Sequence, residues 1–133
     1  MGRYLLDTHT AIWYFNGDKA LSETARKIIL DLSNQINLSI ISVWELAIKT
    51  SLGKLEFNGK ATRFVHFAET YGFIILPIKT AHLTALESLP LLHRDPAYLR
   101  YDDRLLIATA ISEQMIFISA DKNIAQYDVP LVW

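Results

Sequence analysis

Most of the short apolar segments in this chain are continuous rather than alternating, and that pattern limits the fold more than any other feature of the sequence. Five such segments, rich in Ile, Leu, Val and aromatic residues, run Arg3 to Leu6, Asn37 to Ile41, Phe73 to Ile78, Met115 to Ser119 and Leu131 to Trp133. Their length and their β-branched and aromatic content mark them as strands. A strand that is apolar on both sides has both faces covered, which is the condition of a parallel sheet between layers of helix. The stretches between them carry helical patterns. Ser22 opens Ser-Glu-Thr-Ala-Arg-Lys-Ile-Ile-Leu, Ala61 to Tyr71 stops at Gly72, Thr80 to Leu89 stops at Pro90, and Asp103 to Glu113 is a further helix. Parallel neighbours need long crossovers, and every gap but the last has room for a full one. The last, Ala120 to Pro130, fits only a short helix and makes the final strand an edge. The expectation is an α/β fold with a mainly parallel five-stranded sheet.

At 133 residues with 51% apolar content, the chain suits one domain over 1–133 with one core. There is no repeat, low-complexity tract or linker pattern. No apolar run nears the ~20 residues that cross a bilayer, and Met-Gly-Arg-Tyr-Leu-Leu-Asp meets an acid too early for a signal peptide. A cytoplasmic protein without membrane contact is expected. The absence of cysteine removes disulfides, thiolate metal sites and cysteine nucleophiles. A net charge of -1 excludes a broad basic coat as the means of holding nucleic acid.

In an open parallel sheet, ligands bind beyond the carboxyl ends of the strands. There the first strand runs into Asp7-Thr8-His9, the second into Ser42-Val43-Trp44-Glu45, and the fourth into Ser119-Ala120-Asp121, while Asp103 opens the helix before that fourth strand. Each acid also has a plain structural explanation. Asp7 and Asp121 suit helix N-caps, Ser42-x-x-Glu45 fits a capping box, and Asp103 suits the helix dipole. Taken together they suggest more, because neighbouring carboxylates repel unless a cation neutralises them. Mg²⁺ or Mn²⁺, bound through oxygen, would do so and would suit phosphodiester hydrolysis. Asp7, Glu45, Asp103 and Asp121 are therefore the expected catalytic and metal-holding residues. Asp18, Asp31, Glu56, Glu69, Glu87 and Glu113 are read as solvated.

With these residues in view, the sequence resembles the PIN-domain nucleases, and within them the toxin half of VapBC type II toxin-antitoxin systems. The resemblance runs nearly end to end. It is carried by Leu5-Leu6-Asp7-Thr8-His9-Thr10-Ala11-Ile12-Trp13, Ser42-Val43-Trp44-Glu45-Leu46-Ala47-Ile48-Lys49, His93-Arg94-Asp95-Pro96 with Asp103-Arg104-Leu105-Leu106-Ile107-Ala108, and Ile118-Ser119-Ala120-Asp121. It implies an α/β/α sandwich, Mg²⁺- or Mn²⁺-dependent RNA cleavage, a homodimeric toxin, and neutralisation by a cognate VapB-type antitoxin. Two departures stand out. Ala97 to Asp102 separate Asp95-Pro96 from Asp103 where the family usually has one residue, and Ser119 replaces the usual Thr while keeping the hydroxyl.

The long separation leaves Asp95, Asp102 and Asp103 as rival third acids. Asp103 is chosen because Leu106, Ile107 and Ala110 share its helical face, whereas Asp102 suits an N-cap and Asp95 precedes Pro96. Thr8, Ser119, Lys49 and Arg104 are supporting candidates. Lys49 either pairs with Glu45 four residues earlier or holds a substrate phosphate, a role open also to Arg94, Arg100, Arg104 and Lys122. His9 and His93 read better as structural histidines than as ligands. Trp13, Tyr14 and Phe15 suit core or dimer packing better than base stacking. Among rivals, an Asp-nucleophile phosphatase wants Asp-x-Asp where this chain has Asp7-Thr8-His9. A phosphoacceptor domain wants an acid where the middle strand ends Leu76-Pro77-Ile78-Lys79. A silent interaction module is the remaining alternative.

Overall fold

A computed structural model of the chain describes residues 1–90 and 101–133. Asp95, His93, Arg94 and Arg100, with the segment 97–100, lie outside the described residues. The sheet is entirely parallel, in the order β3-β2-β1-β4-β5, with β1 Arg3–Leu6, β2 Gln35–Ser39, β3 Ile74–Leu76, β4 Ile116–Ile118 and β5 Leu131–Val132. Six α-helices accompany it among the described residues: α1 Thr8–Asn16, α2 Glu23–Leu30, α3 Ile40–Ser51, α4 Lys60–Thr70, α5 Thr80–Glu87 and α6 Tyr101–Glu113.

Burial explains why the strands read as continuous apolar runs. In β1, Leu5 and Leu6 point to opposite faces and both are fully buried; Phe117 and Ile118 do the same in β4. Leu6 and Ile118 pack with Ala11, Ile12 and Phe15 of α1, Ala25 and Ile29 of α2, and Phe64 and Ala68 of α4. Leu5 and Phe117 pack with Leu106, Ile107 and Ala110 of α6, against which Ala85 and Leu86 of α5 also lie. This is the α/β/α sandwich. Burying a leucine side chain stabilises by about 1.5–3 kcal/mol, so the two layers together supply the main driving force.

Several boundaries differ from the sequence reading. The second strand was expected over Asn37 to Ile41 but ends at Ser39, whose hydroxyl accepts the Ile41 N–H at 3.0 Å and caps α3. Ser42 is thus a buried residue inside the helix rather than its cap, and the Ser42–Glu45 capping box does not form. The two isoleucines that read as strand instead begin a helix, because a capping hydroxyl before them outweighs their β-propensity. The third strand is shorter than Phe73 to Ile78, in keeping with Pro77, which has no N–H to give a ladder. The last crossover is a 3₁₀ helix, Lys122–Gln126, and β5 is the edge strand.

Glu113 was read as solvated and is not. Its side chain is only 16% exposed and meets Lys79 Nζ at 3.3 Å, Arg3 at 3.6 Å and His82 Nε2 at 2.7 Å. His82 is fully buried and its Nδ1 accepts the Lys79 N–H, so Nε2 carries the ring proton and donates it to Glu113. The His82 hydrogen bond first, and Lys79 after it, hold the Glu113 carboxyl below the usual carboxylate range against the opposing effect of burial. This cluster pins the start of α5, the end of α6 and the start of β1 together. Among the described residues no helix is long and apolar enough to cross a membrane.

Candidate metal centre

The strand order reverses direction at β1, with β2 on one side and β4 on the other. A crevice therefore opens between the carboxyl ends of β1 and β4, where neighbouring crossovers leave in opposite directions. Asp7 is the first residue past β1. Its N–H donates to the Ile118 carbonyl at 3.0 Å, and Thr10 Oγ1 donates to the same carbonyl at 3.0 Å, which locks the start of α1 against the end of β4. Ser119 Oγ donates to Asp7 Oδ2 at 2.6 Å and accepts the Asp121 N–H at 3.1 Å. Asp121 in turn accepts from the Asn123 N–H and caps the 3₁₀ helix. Asp7 Oδ1 accepts the Thr8 N–H at 2.8 Å as the cap of α1. The capping roles foreseen for both aspartates are real, and they coexist with a place in the crevice.

Burial pushes the Asp7 carboxyl above its ordinary range, and the nearby Glu45 charge adds to this. The Ser119 and Thr8 hydrogen bonds and His9 act in the opposite direction without cancelling it. Glu45 behaves differently. Burial again raises it, but the contacts from Lys49, Asp102 and Thr8 outweigh that effect and hold it below the usual range. Lys49 Nζ lies 2.5 Å from Glu45 Oε2, the pairing foreseen from their four-residue spacing. Thr8 Oγ1 is 2.9 Å from Glu45 Oε1 and 2.8 Å from Ser42 Oγ. Thr8 has one proton and the carboxylate can only accept, so Thr8 donates to Glu45 and Ser42 donates to Thr8.

Asp7, Glu45, Asp103 and Asp121 all line one cleft of about 380 Å³, with Lys49 on its wall. Within the described residues, the acids whose oxygens lie within 4.8 Å of one another are Glu45, Asp102 and Asp103. Asp102 suits an N-cap by sequence, but it lies inside α6, 8% exposed and hydrogen-bonded to Glu45. An acid suits a cap and a first turn equally, so local pattern does not separate the two. The contacts of Ser42 and Thr10 leave no spacing signal in the sequence, because each hydroxyl orients a neighbour from a distant part of the chain. Arg104 turns elsewhere: it donates to Tyr127 Oη at 3.0 Å and to the Pro90 carbonyl at 3.2 Å, with its guanidinium over the Tyr127 ring. Lys122 is exposed on the 3₁₀ helix. His9, expected to be structural, is exposed and lines the cleft beside Trp13.

The donor set is all carboxylate oxygen, the chemistry that hard cations such as Mg²⁺ and Mn²⁺ select. Asp7 is ionised only at a cost that a cation would remove. The residues therefore fit a divalent ion.

A family model described as PIN domain matches residues 4–130. No curated protein matches the sequence significantly. Among solved structures, VapBC2 from Rickettsia felis bound to a DNA fragment from its promoter is similar with a TM-score of 0.71 at 15% identity, over 98% of each chain. DNA-bound VapBC from Salmonella typhimurium gives 0.65 at 15% identity over 99% of this chain and 98% of the other. FitAcB from Neisseria gonorrhoeae gives 0.63 at 20% identity over 98% and 96%. At such identities the likeness is one of fold.

Proposed function

The chain belongs to the PIN-domain family, and from that premise we propose that it is a Mg²⁺- or Mn²⁺-dependent endoribonuclease, the toxin of a type II toxin-antitoxin pair, acting on RNA in the cytoplasm. The observation that carries this reading is the convergence of Glu45, Asp102 and Asp103 within 4.8 Å, in a cleft that Asp7 and Asp121 also line. A bound divalent ion supplies an activated water and charge stabilisation at the scissile phosphate. Asp7, Glu45, Asp103 and Asp121 would hold it. Ser119 orients Asp7 through its 2.6 Å bond, and Thr8 orients Glu45. Lys49 keeps Glu45 ionised and places a positive charge on the cleft wall for a phosphate oxygen.

The experiment is a cleavage assay on total RNA with and without the metal. Cleavage is expected with Mg²⁺ or Mn²⁺ and none after chelation with EDTA. An unchanged rate in EDTA would remove the metal mechanism, and equal cleavage of DNA would remove the assignment to RNA.

The partner in this reading is a VapB-type antitoxin, supported by the fold shared with chains from VapBC and FitAcB structures. Carboxylates short of a cation attract Arg or Lys, so an antitoxin segment placing a basic side chain in the cleft would inhibit by replacing the metal.

The homodimer rests on α3. Ile40, Trp44, Ile48 and Leu52 recur every fourth residue and are 38–62% exposed, forming one apolar ridge on the side of α3 away from Leu46 and the core. Such ridges interlock between paired helices, and a large exposed apolar patch marks an interface. Trp44→Glu is expected to convert a dimer to a monomer in sedimentation velocity while leaving the thermal melt of the fold largely unchanged. A wild-type protein that sediments as a monomer at micromolar concentration would refute the dimer.

A further inference from the structure

Two rings on the cleft lie outside the set of carboxylates. His9 and Trp13 are one turn apart on α1, and both line the same cleft as Asp7 and Asp121. The other residues of this helix explain the choice of face: Ala11, Ile12 and Phe15 go into the core, so the i and i+4 positions His9 and Trp13 are left facing the crevice. Their ring centroids are 5.9 Å apart at an interplanar angle of 54°, so the imidazole does not lie flat over the indole. Trp13 is braced by Trp133, 5.8 Å away at 59°, and by the core cluster against which both pack. The indole is therefore a rigid apolar surface set into a polar cleft. His9 is exposed and Trp13 half-buried, in contrast to Phe15, which is buried in a nest of aromatic rings.

A polar cleft gains nothing from an aromatic wall if phosphate is its only cargo. A nucleobase, however, has a π-face that an indole can take up, and stacking on an aromatic side chain is sequence-tolerant because every base has one. A base in a duplex has both faces occupied and cannot use such a wall. We propose that His9 and Trp13 form a base-binding subsite that takes one unpaired nucleobase beside the scissile phosphate, and so set where in a single strand the cut falls. The inference rests on the ribonuclease reading and names the part of the substrate that the carboxylates do not recognise.

The test compares a fluorescently labelled single-stranded RNA 12-mer with versions carrying one abasic residue at successive positions. Binding is read by anisotropy in Ca²⁺ without turnover, and kinetics in Mg²⁺. The wild-type protein is expected to bind the best-placed abasic RNA about ten- to a hundredfold more weakly than the intact strand, the range set by loss of one base–aromatic stack. Trp13→Leu, which keeps apolar packing against the core, should erase that discrimination and raise KM far more than it lowers kcat. His9→Ala, at an exposed position that tolerates truncation, should reduce the discrimination and shift the pattern of cut sites. If both variants discriminate as the wild type does while RNA is still cleaved in a metal-dependent way, the subsite is wrong and the ribonuclease stands. If the wild type neither binds nor cleaves any of the RNAs, the ribonuclease reading falls and takes the subsite with it. Unchanged RNA discrimination with weakened capture of a co-expressed protein partner would assign the wall to that partner and overturn base binding.

Discussion

The Asp103→Asn variant is expected to lose at least ~10²-fold in kcat for Mg²⁺-dependent RNA cleavage, the scale of removing one preorganised electrostatic contact. Asp103 lines the cleft directly, and its amide replacement would present a poorer ligand where an anionic oxygen is required. Asp102→Asn is expected to cost less, about tenfold, for a reason visible in the contacts. Asp103 lines the cleft, whereas Asp102 is 8% exposed and meets Glu45. An asparagine keeps one carbonyl oxygen and gains an amide donor for that contact. The two variants, assayed side by side with Asp95→Asn under the same conditions, decide the assignment. Near-normal turnover by Asp103→Asn, with collapse in Asp102→Asn, would make Asp102 the ligand and Asp103 its neighbour.

The parallel sheet was legible because Leu5-Leu6 and Phe117-Ile118 are apolar on consecutive positions, which only a doubly covered strand requires. Ser22 was legible as a cap because its hydroxyl accepts the Ala25 N–H in the expected local way. The same local logic failed at Ser39-Ile40-Ile41, where two β-branched residues imitate a strand and the deciding bond is a single hydroxyl contact. The acids of the site were legible as a set, because each stands just past a strand or at a helix start. Their mutual distances were not, since these depend on β1 lying between β2 and β4, an order no local pattern encodes. Glu113 was misread for the same reason. Its partners Arg3, Lys79 and His82 come from three distant parts of the chain. The roles of hydroxyls such as Ser42 and Thr10 were not legible because their work is done across the fold, on Thr8 and on the Ile118 carbonyl.

Asp7→Asn is expected to abolish detectable cleavage while leaving the metal-free protein as stable as the wild type or more so. Two opposing contributions meet at this residue. As the cap of α1, Asp7 accepts the Thr8 N–H, and losing a cap typically costs ~1 kcal/mol. Asparagine keeps that acceptor, and its amide can donate to Ser119 Oγ in place of the bond Ser119 now gives. The charge is the other contribution. Burial raises the folded-state pKa above the ordinary 3.8, so folding favours the protonated acid. Below 3.8 the group is neutral in both states and costs nothing. As pH rises from 3.8 through the raised folded value, the unfolded chain ionises first and the fold loses stability, a penalty that is complete once the pH has passed the folded value. Removing the carboxylate removes that penalty. Thermal melts of wild type and variant without metal should therefore diverge in the variant's favour between acid pH and pH 7, and Mg²⁺ should raise the wild-type melting temperature more than the variant's. A variant that melts well below the wild type at pH 7 in EDTA would mean that Asp7 serves the helix before it serves a metal. A variant that still cleaves would mean that the ion is held by Glu45, Asp102 and Asp103 without it.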